Sequence, residues 1–304
     1  MNEGSTKTPE RIAFIGFGEA GQALIKGWRR ETIFAVCAYD IKTDDTAQKD
    51  AKLKDYLQYD VAPALSAVEA VSDADIIISA VTADAILDAA FSAVPALKPG
   101  QLYLDINSAA PSRKREASEK VGAMGAKYVD VAVMAPVHPK LHKVPLLIGG
   151  PGAEDVVPFF ERLNMDFEVV SDEVGPASTV KMVRSVMIKG MESLTLECLL
   201  AAVASGIDGR ILDSLEKSFP GMDWNERVSY MFERVARHGS RRAAEMREVA
   251  RTMEDLGIGG TMALATSERQ QRIADMELFR EFPDGIPRDY RTLAKVILGH
   301  MEHG

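Results

Sequence analysis

Short runs of β-forming residues alternate with helical stretches through the first 171 residues of the 304-residue chain. Several runs are apolar throughout, which is typical of strands in a parallel sheet that is covered on both faces. The predicted strands are 11–16, 34–40, 75–81, 102–107, 127–133, 145–150 and 167–171. The predicted helices are 19–30, 44–56, 63–71, 83–94, 112–123 and 153–163. This order predicts an α/β fold with a doubly wound, mostly parallel sheet.

The remainder of the chain has a different character. From Gly175 onward the pattern is helical, without a convincing strand, and it is interrupted at Gly206, 219–221, 257–260 and 283–287. Glycine and proline at these points end helices rather than form linkers. We therefore predict two domains, a sheet-containing domain at 1–172 and an all-helical C-terminal domain at 173–304.

Charge and composition exclude several classes of partner. The net charge of −9 argues against nucleic acid, because phosphate binding needs a basic surface, and hydrophobic residues at 46% are ordinary for a globular protein. No apolar run reaches the roughly 20 residues of a membrane helix, and positions 1–10 lack the apolar core of a signal peptide. Cys37 and Cys198 are expected to be reduced core residues. We expect a cytoplasmic protein without a membrane partner.

The residues GFGEAG at 16–21 match the G-x-G-x-x-G pattern and lie between the first predicted strand and the first predicted helix. Gly16 allows a tight turn, Gly18 lets a pyrophosphate approach the backbone, and Gly21 lets the helix pack closely on the strand. The phosphates then meet N–H groups at the positive end of the helix. The context predicts a Rossmann-type dinucleotide site, and an ordinary glycine-rich loop with a surface aspartate is the alternative.

Asp40 ends the second predicted strand, 19 residues after Gly21, where a carboxylate accepts hydrogen bonds from a ribose diol. A carboxylate favours NAD over NADP, although the nearby Lys42 keeps NADP possible. Ligands bind beyond the carboxyl ends of parallel strands, so two further strand ends join the site. The predicted cofactor contacts are Gly16, Phe17, Gly18, Glu19, Ala20, Gly21, Asp40, Ile41, Val81, Thr82 and Asn107. A helix cap is the alternative role for Asn107 and Ser108.

The segment 175–202 is predicted to be one long helix with two faces. The polar stripe contains Lys181, Arg184, Ser185, Lys189, Glu192 and Thr195, and the apolar stripe contains Val183, Val186, Met187, Gly190, Met191 and Leu194. Periodicity alone is compatible with a plain amphipathic helix that has a solvated polar face. It does not identify Lys181 as a catalytic residue.

Three segments, GFGEAG at 16–21, LDINS at 104–108 and GPASTVKMVRS at 175–185, resemble in order and spacing the 6-phosphogluconate dehydrogenase and β-hydroxyacid dehydrogenase superfamily. The C-terminal half looks like its phosphogluconate dehydrogenase-like branch. The resemblance implies that Lys181 is the catalytic general acid/base while hydride moves to or from the nicotinamide. It also implies a small-molecule substrate and a homodimer or higher oligomer built through the helical domain.

The chain departs from the family at positions that would contact substrate. The family asparagine is Ser185, and the acid of the decarboxylating enzymes is Ile188. The family S-G-G run is Met134-Ala135-Pro136, which compromises a backbone cradle for a carboxylate because proline has no N–H. The predicted substrate contacts are Ser108, Met134, Ala135, Pro136, Ser185 and Ile188. We expect a substrate that is bulkier or less anionic than a simple 3-hydroxy acid.

Two other groups of residues have less specific patterns. His138 and His142 have an i, i+4 spacing, but Pro136 and Pro139 disfavour a helix, so we expect surface loop residues and no metal site. Contact of one of the two histidines with substrate is the alternative. Arg237, His238, Arg241 and Arg242 form a basic cluster, which is interpreted as a solvated, ion-paired helix face or as an anion site.

The sequence leaves three functions open. The first is an NAD(P)-dependent dehydrogenase or reductase acting on a hydroxyl or keto group. The second is an imine reductase-like enzyme, and the third is a non-catalytic dinucleotide-binding sensor.

Overall fold

A computed structural model of the chain describes residues 11–28 and 35–302. The strands are β1 (Arg11–Ile15), β2 (Ala35–Tyr39), β3 (Ala62–Pro63), β4 (Ile76–Ser79), β5 (Leu102–Asp105), β6 (Lys127–Val133), β7 (Leu146–Gly149) and β8 (Phe167–Ser171). The helices are α1 (Glu19–Trp28), α2 (Lys49–Gln58), α3 (Ala67–Val71), α4 (Ile86–Ala93), α5 (Pro111–Ala123), α6 (Ala153–Arg162), α7 (Pro176–Ala204), α8 (Asp208–Ser218), α9 (Trp224–Asp255), α10 (Thr261–Ala274) and α11 (Tyr290–Glu302). The predictions for positions 1–10, 29–30 and 34 lie outside the described residues.

The strands form one sheet in the order β3-β2-β1-β4-β5-β6-β7-β8. Neighbouring strands are parallel except for β6 and β7, which are antiparallel. The mostly parallel α/β sheet predicted from the sequence is therefore confirmed. From β1 the chain adds β2 and β3 on one side, and it then returns to the other side of β1 to add β4 and the strands that follow. The switch point, where ligands of such sheets bind, lies between β1 and β4.

Burial on both faces explains why the central strands are continuously apolar. In β4, Ile76 and Ile78 belong to one core cluster, whereas Ile77 belongs to the cluster on the other face. Successive side chains of a strand point to opposite faces, so both sets must be apolar when helices cover both sides. A half-exposed sheet would instead show alternation of polar and apolar residues.

Two predicted helices begin later than expected. The helix predicted from position 63 begins at Ala67, because Ala62 and Pro63 pair with β2 and the Ser66 side chain caps the helix start. The helix predicted from position 44 begins at Lys49, and a short 3₁₀ turn over Ile41–Thr43 precedes it. A two-residue edge strand is too short to produce a detectable period in the sequence.

The chain divides into two compact units, one up to Met182 and one from Val183, and α7 crosses this division. The described part of the second unit is helical, as predicted, with an apolar core formed by α7, α8, α9, α10 and α11. The domain boundary at 172/173 stays a prediction. Both cysteines are free, but Cys198 is exposed rather than buried. Within residues 11–28 and 35–302, no helix is long and apolar enough to cross a membrane.

Candidate functional site

The predicted cofactor contacts follow the carboxyl ends of four parallel strands, and part of the predicted substrate set follows a fifth. These strands are β1, β2, β4, β5 and β6, which are neighbours in the sheet. The segments in question are 16–21, 40–41, 81–82, 107–108 and 134–136. Parallel pairing brings all five segments to one edge of the sheet. The switch point between β1 and β4 lies within this edge.

The three glycines of the first loop occupy different environments. Gly16 has a φ of +79°, and a Cβ there would lie 2.5 Å from the carbonyl oxygen of Ala80. A Cβ on Gly21 would lie 3.1 Å from the ring of Phe17. By contrast, a Cβ on Gly18 would meet no protein atom within 4 Å. Gly16 and Gly21 therefore serve the turn and the packing, whereas Gly18 faces open space.

Phe17 takes part in the loop only through its backbone. Its side chain is fully buried, and its ring packs edge-on against Phe14, Tyr56 and Tyr59. Its N–H donates to Asp40 Oδ2 at 2.9 Å, so this N–H is already engaged by protein. The side chain of Phe17 is thus a core residue, although the sequence placed it among the cofactor contacts.

Asp40 is buried, not a surface residue as in the alternative interpretation of the motif. Its carboxylate accepts hydrogen bonds from the N–H groups of Phe17 at 2.9 Å and Lys42 at 3.1 Å. Lys52, which belongs to no sequence motif, lies 4.0 Å from Asp40 Oδ2 and donates to the carbonyl of Phe17 at 2.9 Å. Each carboxylate oxygen has two acceptor positions, so Asp40 retains capacity for a hydroxyl donor. The adjacent Ile41 is 73% exposed.

Asn107 cross-links two strand ends instead of capping a helix. Its Oδ1 accepts from the Val81 N–H at 2.6 Å, and its Nδ2 donates to Ser79 Oγ at 2.9 Å. Helix α5 begins at Pro111 and is preceded by Ala110, so the capping alternative is wrong. Asn107 instead fixes the loop after β4 against the loop after β5.

The segment 134–136 offers little to an anion. The Met134 N–H donates to the carbonyl of Pro145 at 2.9 Å, and Pro136 has no N–H. These three positions therefore contribute one further N–H, that of Ala135. Met134 and Ala135 are half-buried and Pro136 is exposed.

The polar stripe of α7 is largely buried, which is the opposite of the solvated face that the sequence suggested. Ser185 is 7% exposed and accepts a hydrogen bond from Lys189 Nζ at 3.1 Å. Lys189 also pairs with Glu245 of α9 at 2.9 Å, and Glu192 pairs with Arg242 at 2.8 Å. Side chains of α9 thus supply an opposite charge to Lys189 and to Glu192, although Glu192 Oε2 and two nitrogens of Arg242 are buried without a hydrogen-bond partner among the described residues.

The apolar stripe of α7 carries exposed side chains. Val183, Met187 and Leu194 are 46%, 63% and 58% exposed, and Ile188 beside them is 38% exposed. Lys181 itself is half-buried and lies on the second turn of the helix. The roles of Lys181, Ser185 and Ile188 stay predictions.

The basic cluster on α9 is ion-paired, which confirms that part of its interpretation. Arg237 pairs with Glu233 at 3.0 Å and is half-exposed, whereas Arg242 is buried and not solvated. Burial, together with four neighbouring arginines, lowers the pKa of His238 to about 4. His238 is therefore neutral near pH 7.

The two histidines after β6 differ in environment. His138 is exposed, but His142 is buried against Gly27 of α1, so the expectation of a surface loop is wrong for His142. Among the described residues, no three His, Cys, Asp or Glu side chains are grouped as a metal site would require.

Comparison with known proteins shows the family. Residues 11–165 match the model of the NAD binding domain of 6-phosphogluconate dehydrogenase, which is just over half of the chain. The chain belongs to this family. Its N-terminal region is accordingly an NAD-binding domain, and the resemblance drawn from the three sequence segments is confirmed. Residues 202–273 of this 6-phosphogluconate dehydrogenase-type protein match a second model, a domain of unknown function (DUF1932).

Solved structures show the same fold over nearly the whole length. A conserved hypothetical protein from Sinorhizobium meliloti 1021 is 35% identical, with a TM-score of 0.72, over 97% of this chain and 98% of that one. A Mycobacterium tuberculosis 3-hydroxyisobutyrate dehydrogenase, solved with L-serine, is 16% identical with a TM-score of 0.68, over 95% and 99%. A Streptomyces aurantiacus imine reductase is 18% identical with a TM-score of 0.54, over 95% and 99%. The last two similarities show the fold alone.

Proposed function

We propose that this protein is an NAD(P)-dependent oxidoreductase of the β-hydroxyacid dehydrogenase kind. It transfers hydride between the nicotinamide and a hydroxyl or keto carbon of a small organic substrate, with Lys181 as the general acid/base. The observation that carries the proposal is the sheet edge. Five strand-end segments of an NAD-binding domain converge there, and Gly18 leaves space that a side chain would fill.

The residues at this edge suit a dinucleotide. The loop at 16–21 would hold the pyrophosphate, Asp40 the adenosine ribose, and Val81, Thr82 and Asn107 the nicotinamide half. Bound NAD(P) supplies the hydride acceptor or donor. The carboxylate of Asp40 favours NAD, since it would repel the 2′-phosphate of NADP.

The part of Lys181 is proton transfer. When an alcohol is oxidised, the C–H bond breaks with its electron pair leaving as hydride, a C=O bond forms, and the hydroxyl proton passes to the neutral amine of Lys181. In the reverse direction, the ammonium of Lys181 returns that proton to the developing alkoxide. General acid/base catalysis of this kind contributes typically about 10²–10⁴-fold to the rate.

An imine reductase-like activity is the second candidate, favoured by the segment 134–136. In that segment only the Ala135 N–H is not donated to another group of the described residues. The family that the sequence resembles is expected to hold a carboxylate there, so a substrate without a carboxylate fits this chain better. The similarity in fold to the Streptomyces imine reductase is compatible with this alternative.

We also propose a homodimer or higher oligomer that is formed through the helical unit. The exposed apolar stripe of α7 supports it, because contiguous apolar side chains on a soluble protein commonly mark an interaction surface.

Fluorescence titration with NADH and NADPH, followed by turnover assays, tests the function. The panel contains hydroxy acids with their keto forms, aldehydes and cyclic imines. We expect tighter binding of NADH than of NADPH and turnover of at least one panel member. Reduction of imines alone would favour the second candidate, and tight cofactor binding with no turnover would favour a non-catalytic sensor.

Two glycine variants test the cofactor loop separately. We expect Gly18→Ala to weaken NADH affinity by about tenfold or more, roughly 1.4 kcal/mol, with an unchanged unfolding midpoint, because its methyl group meets no protein atom. Gly16→Ala should destabilise the unliganded protein by about 1–3 kcal/mol, because φ is +79° and the methyl group meets the Ala80 carbonyl. Unchanged NADH affinity in Gly18→Ala would place the pyrophosphate elsewhere.

A further inference from the structure

A buried carboxylate on the sheet caps the helix that carries Lys181. Asp130 of β6 is fully buried, and its Oδ2 accepts hydrogen bonds from the Gly175 N–H at 3.1 Å, the Ser178 N–H at 3.1 Å and the Ser178 hydroxyl at 2.9 Å. The first N–H groups of a helix have no partner within the helix, and a negative charge beside them is favourable. Asp130 therefore acts as an N-terminal cap for α7, although it lies 48 positions before Ser178 in the chain.

The other oxygen of Asp130 is held by a buried cation. Lys114 of α5 is fully buried and donates to Asp130 Oδ1 at 2.9 Å, to the carbonyl of Asp105 at 2.9 Å and to that of Val131 at 3.2 Å. An ammonium has three donors, so all three are used. Burial alone lowers the pKa of Lys114, but the carboxylates of Asp105 and Asp130 outweigh it and raise this pKa. Lys114 thus stays charged and holds Asp130 in place.

The same cation is linked by polar contacts to the edge of the sheet where the predicted cofactor contacts lie, which we call the cofactor edge. The carboxylate of Asp105 lies 3.7 Å from Lys114 Nζ and accepts the Asn107 N–H at 2.9 Å, while Asn107 Oδ1 accepts the Val81 N–H at 2.6 Å. Polar contacts therefore run without interruption from the loop after β4 to the first turn of α7. All of these residues belong to the first unit.

We propose that Asp130 is a positioning residue for the reaction, held by Lys114 and acting through the first turn of α7 on Lys181. Lys181 lies three residues after Ser178, about one helical turn. A fixed first turn fixes the starting point of the Lys181 side chain relative to the cofactor edge. This inference rests on the proposed role of Lys181.

The chemistry of burial supports a geometric role. Buried ions are costly to desolvate, and well-packed apolar residues often give equal or greater stability. An apolar core does not provide directional hydrogen bonds, and such bonds fix the position of a helix relative to a strand. Catalysis is sensitive to such positioning, since a misplacement of a catalytic group by about 1 Å can lower the rate around 10²-fold.

The test compares variants of the full-length protein on a substrate that the wild type turns over. We expect Asp130→Asn, which keeps the shape but removes the charge, to lower kcat by about 10–100-fold, with the NADH dissociation constant within about twofold of wild type. Ser178→Ala removes the hydroxyl donor but leaves the N–H groups of residues 175 and 178 bonded to Asp130, so it should lower kcat less, by about 3–10-fold. The double variant should be no worse than Asp130→Asn, because both changes disrupt one interaction.

Gln101→Leu is the matched control for lost stability. Gln101 is also buried and bonded to the carbonyls of Val71 and Ala74, but it precedes the amino end of β5, away from the cap. This variant should lower the unfolding midpoint while leaving kcat unchanged. Amide hydrogen exchange over 176–182 should accelerate by about tenfold or more in Asp130→Asn and not in Gln101→Leu.

The outcomes separate this inference from the function on which it rests. If kcat stays within twofold of wild type in Asp130→Asn and Ser178→Ala while Lys181→Met is inactive, the positioning role is overturned and the proposed function stands. If Gln101→Leu loses as much kcat as Asp130→Asn, Asp130 is merely structural. A wild-type protein that turns over nothing overturns both. Should Asp130→Asn fail to fold, Ser178→Ala alone decides.

Discussion

The Lys181→Met variant is expected to lose at least about 10²-fold in kcat, the lower end of what a general acid/base contributes. Methionine approximates the length of the lysine side chain but carries no transferable proton. The affinity for NADH should stay within about twofold, because the predicted cofactor contacts lie at the strand ends and do not include Lys181. Steady-state kinetics and fluorescence titration of the same preparations measure both quantities.

Arg184→Met provides the control on the same helix. Arg184 is exposed and belongs to the same stripe three residues later, so its removal takes away a cation without removing the proposed proton carrier. We expect nearly wild-type kcat. If Lys181→Met retained turnover within about threefold of wild type, Lys181 would not be the acid/base.

Glu192→Ala is expected to destabilise the protein by about 3–5 kcal/mol, because it leaves a buried cation without its partner. Glu192 and Arg242 contact each other at 2.8 Å with both side chains 5% exposed. Burial raises the pKa of Glu192 and lowers that of Arg242, so each charge depends on the other for compensation. Urea unfolding at pH 7, followed by circular dichroism, measures the loss.

Glu197→Ala is the matched comparison, since it makes the same substitution five residues further along α7. Glu197 is 66% exposed and pairs with Arg269, which is itself partly exposed. Surface pairs of this kind contribute about 0–1 kcal/mol. Equal losses of unfolding free energy in the two variants would mean that the buried Glu192–Arg242 pair contributes no more to stability than an exposed pair.

The fold was largely predictable because its signals are local. The continuous apolar runs of β1 and β4 and the glycines at 16–21 each follow from the sterics and burial of neighbouring residues. The helix breaks at Gly206 and 257–260 follow from the same local rules. Element boundaries failed where a short tertiary pairing decided them, as at Ala62 and Pro63.

The polar contacts were not predictable because their partners are distant in sequence. Nothing near Ser178 indicates that Asp130 caps its helix, and nothing near Glu192 indicates Arg242, 50 positions later. The polar stripe of α7 therefore suggested solvent, whereas the structure buries most of it against α9. Periodicity detects that two faces differ, but it does not reveal which face is covered.

A crystal structure of the protein with NADH and a substrate analogue tests the central claim most directly. The account predicts that the Lys181 ammonium lies within hydrogen-bond reach, about 2.6–3.2 Å, of the reacting oxygen or nitrogen beside the nicotinamide ring. A Lys181 side chain directed into bulk solvent, away from a properly bound nicotinamide, would contradict the proposed chemistry.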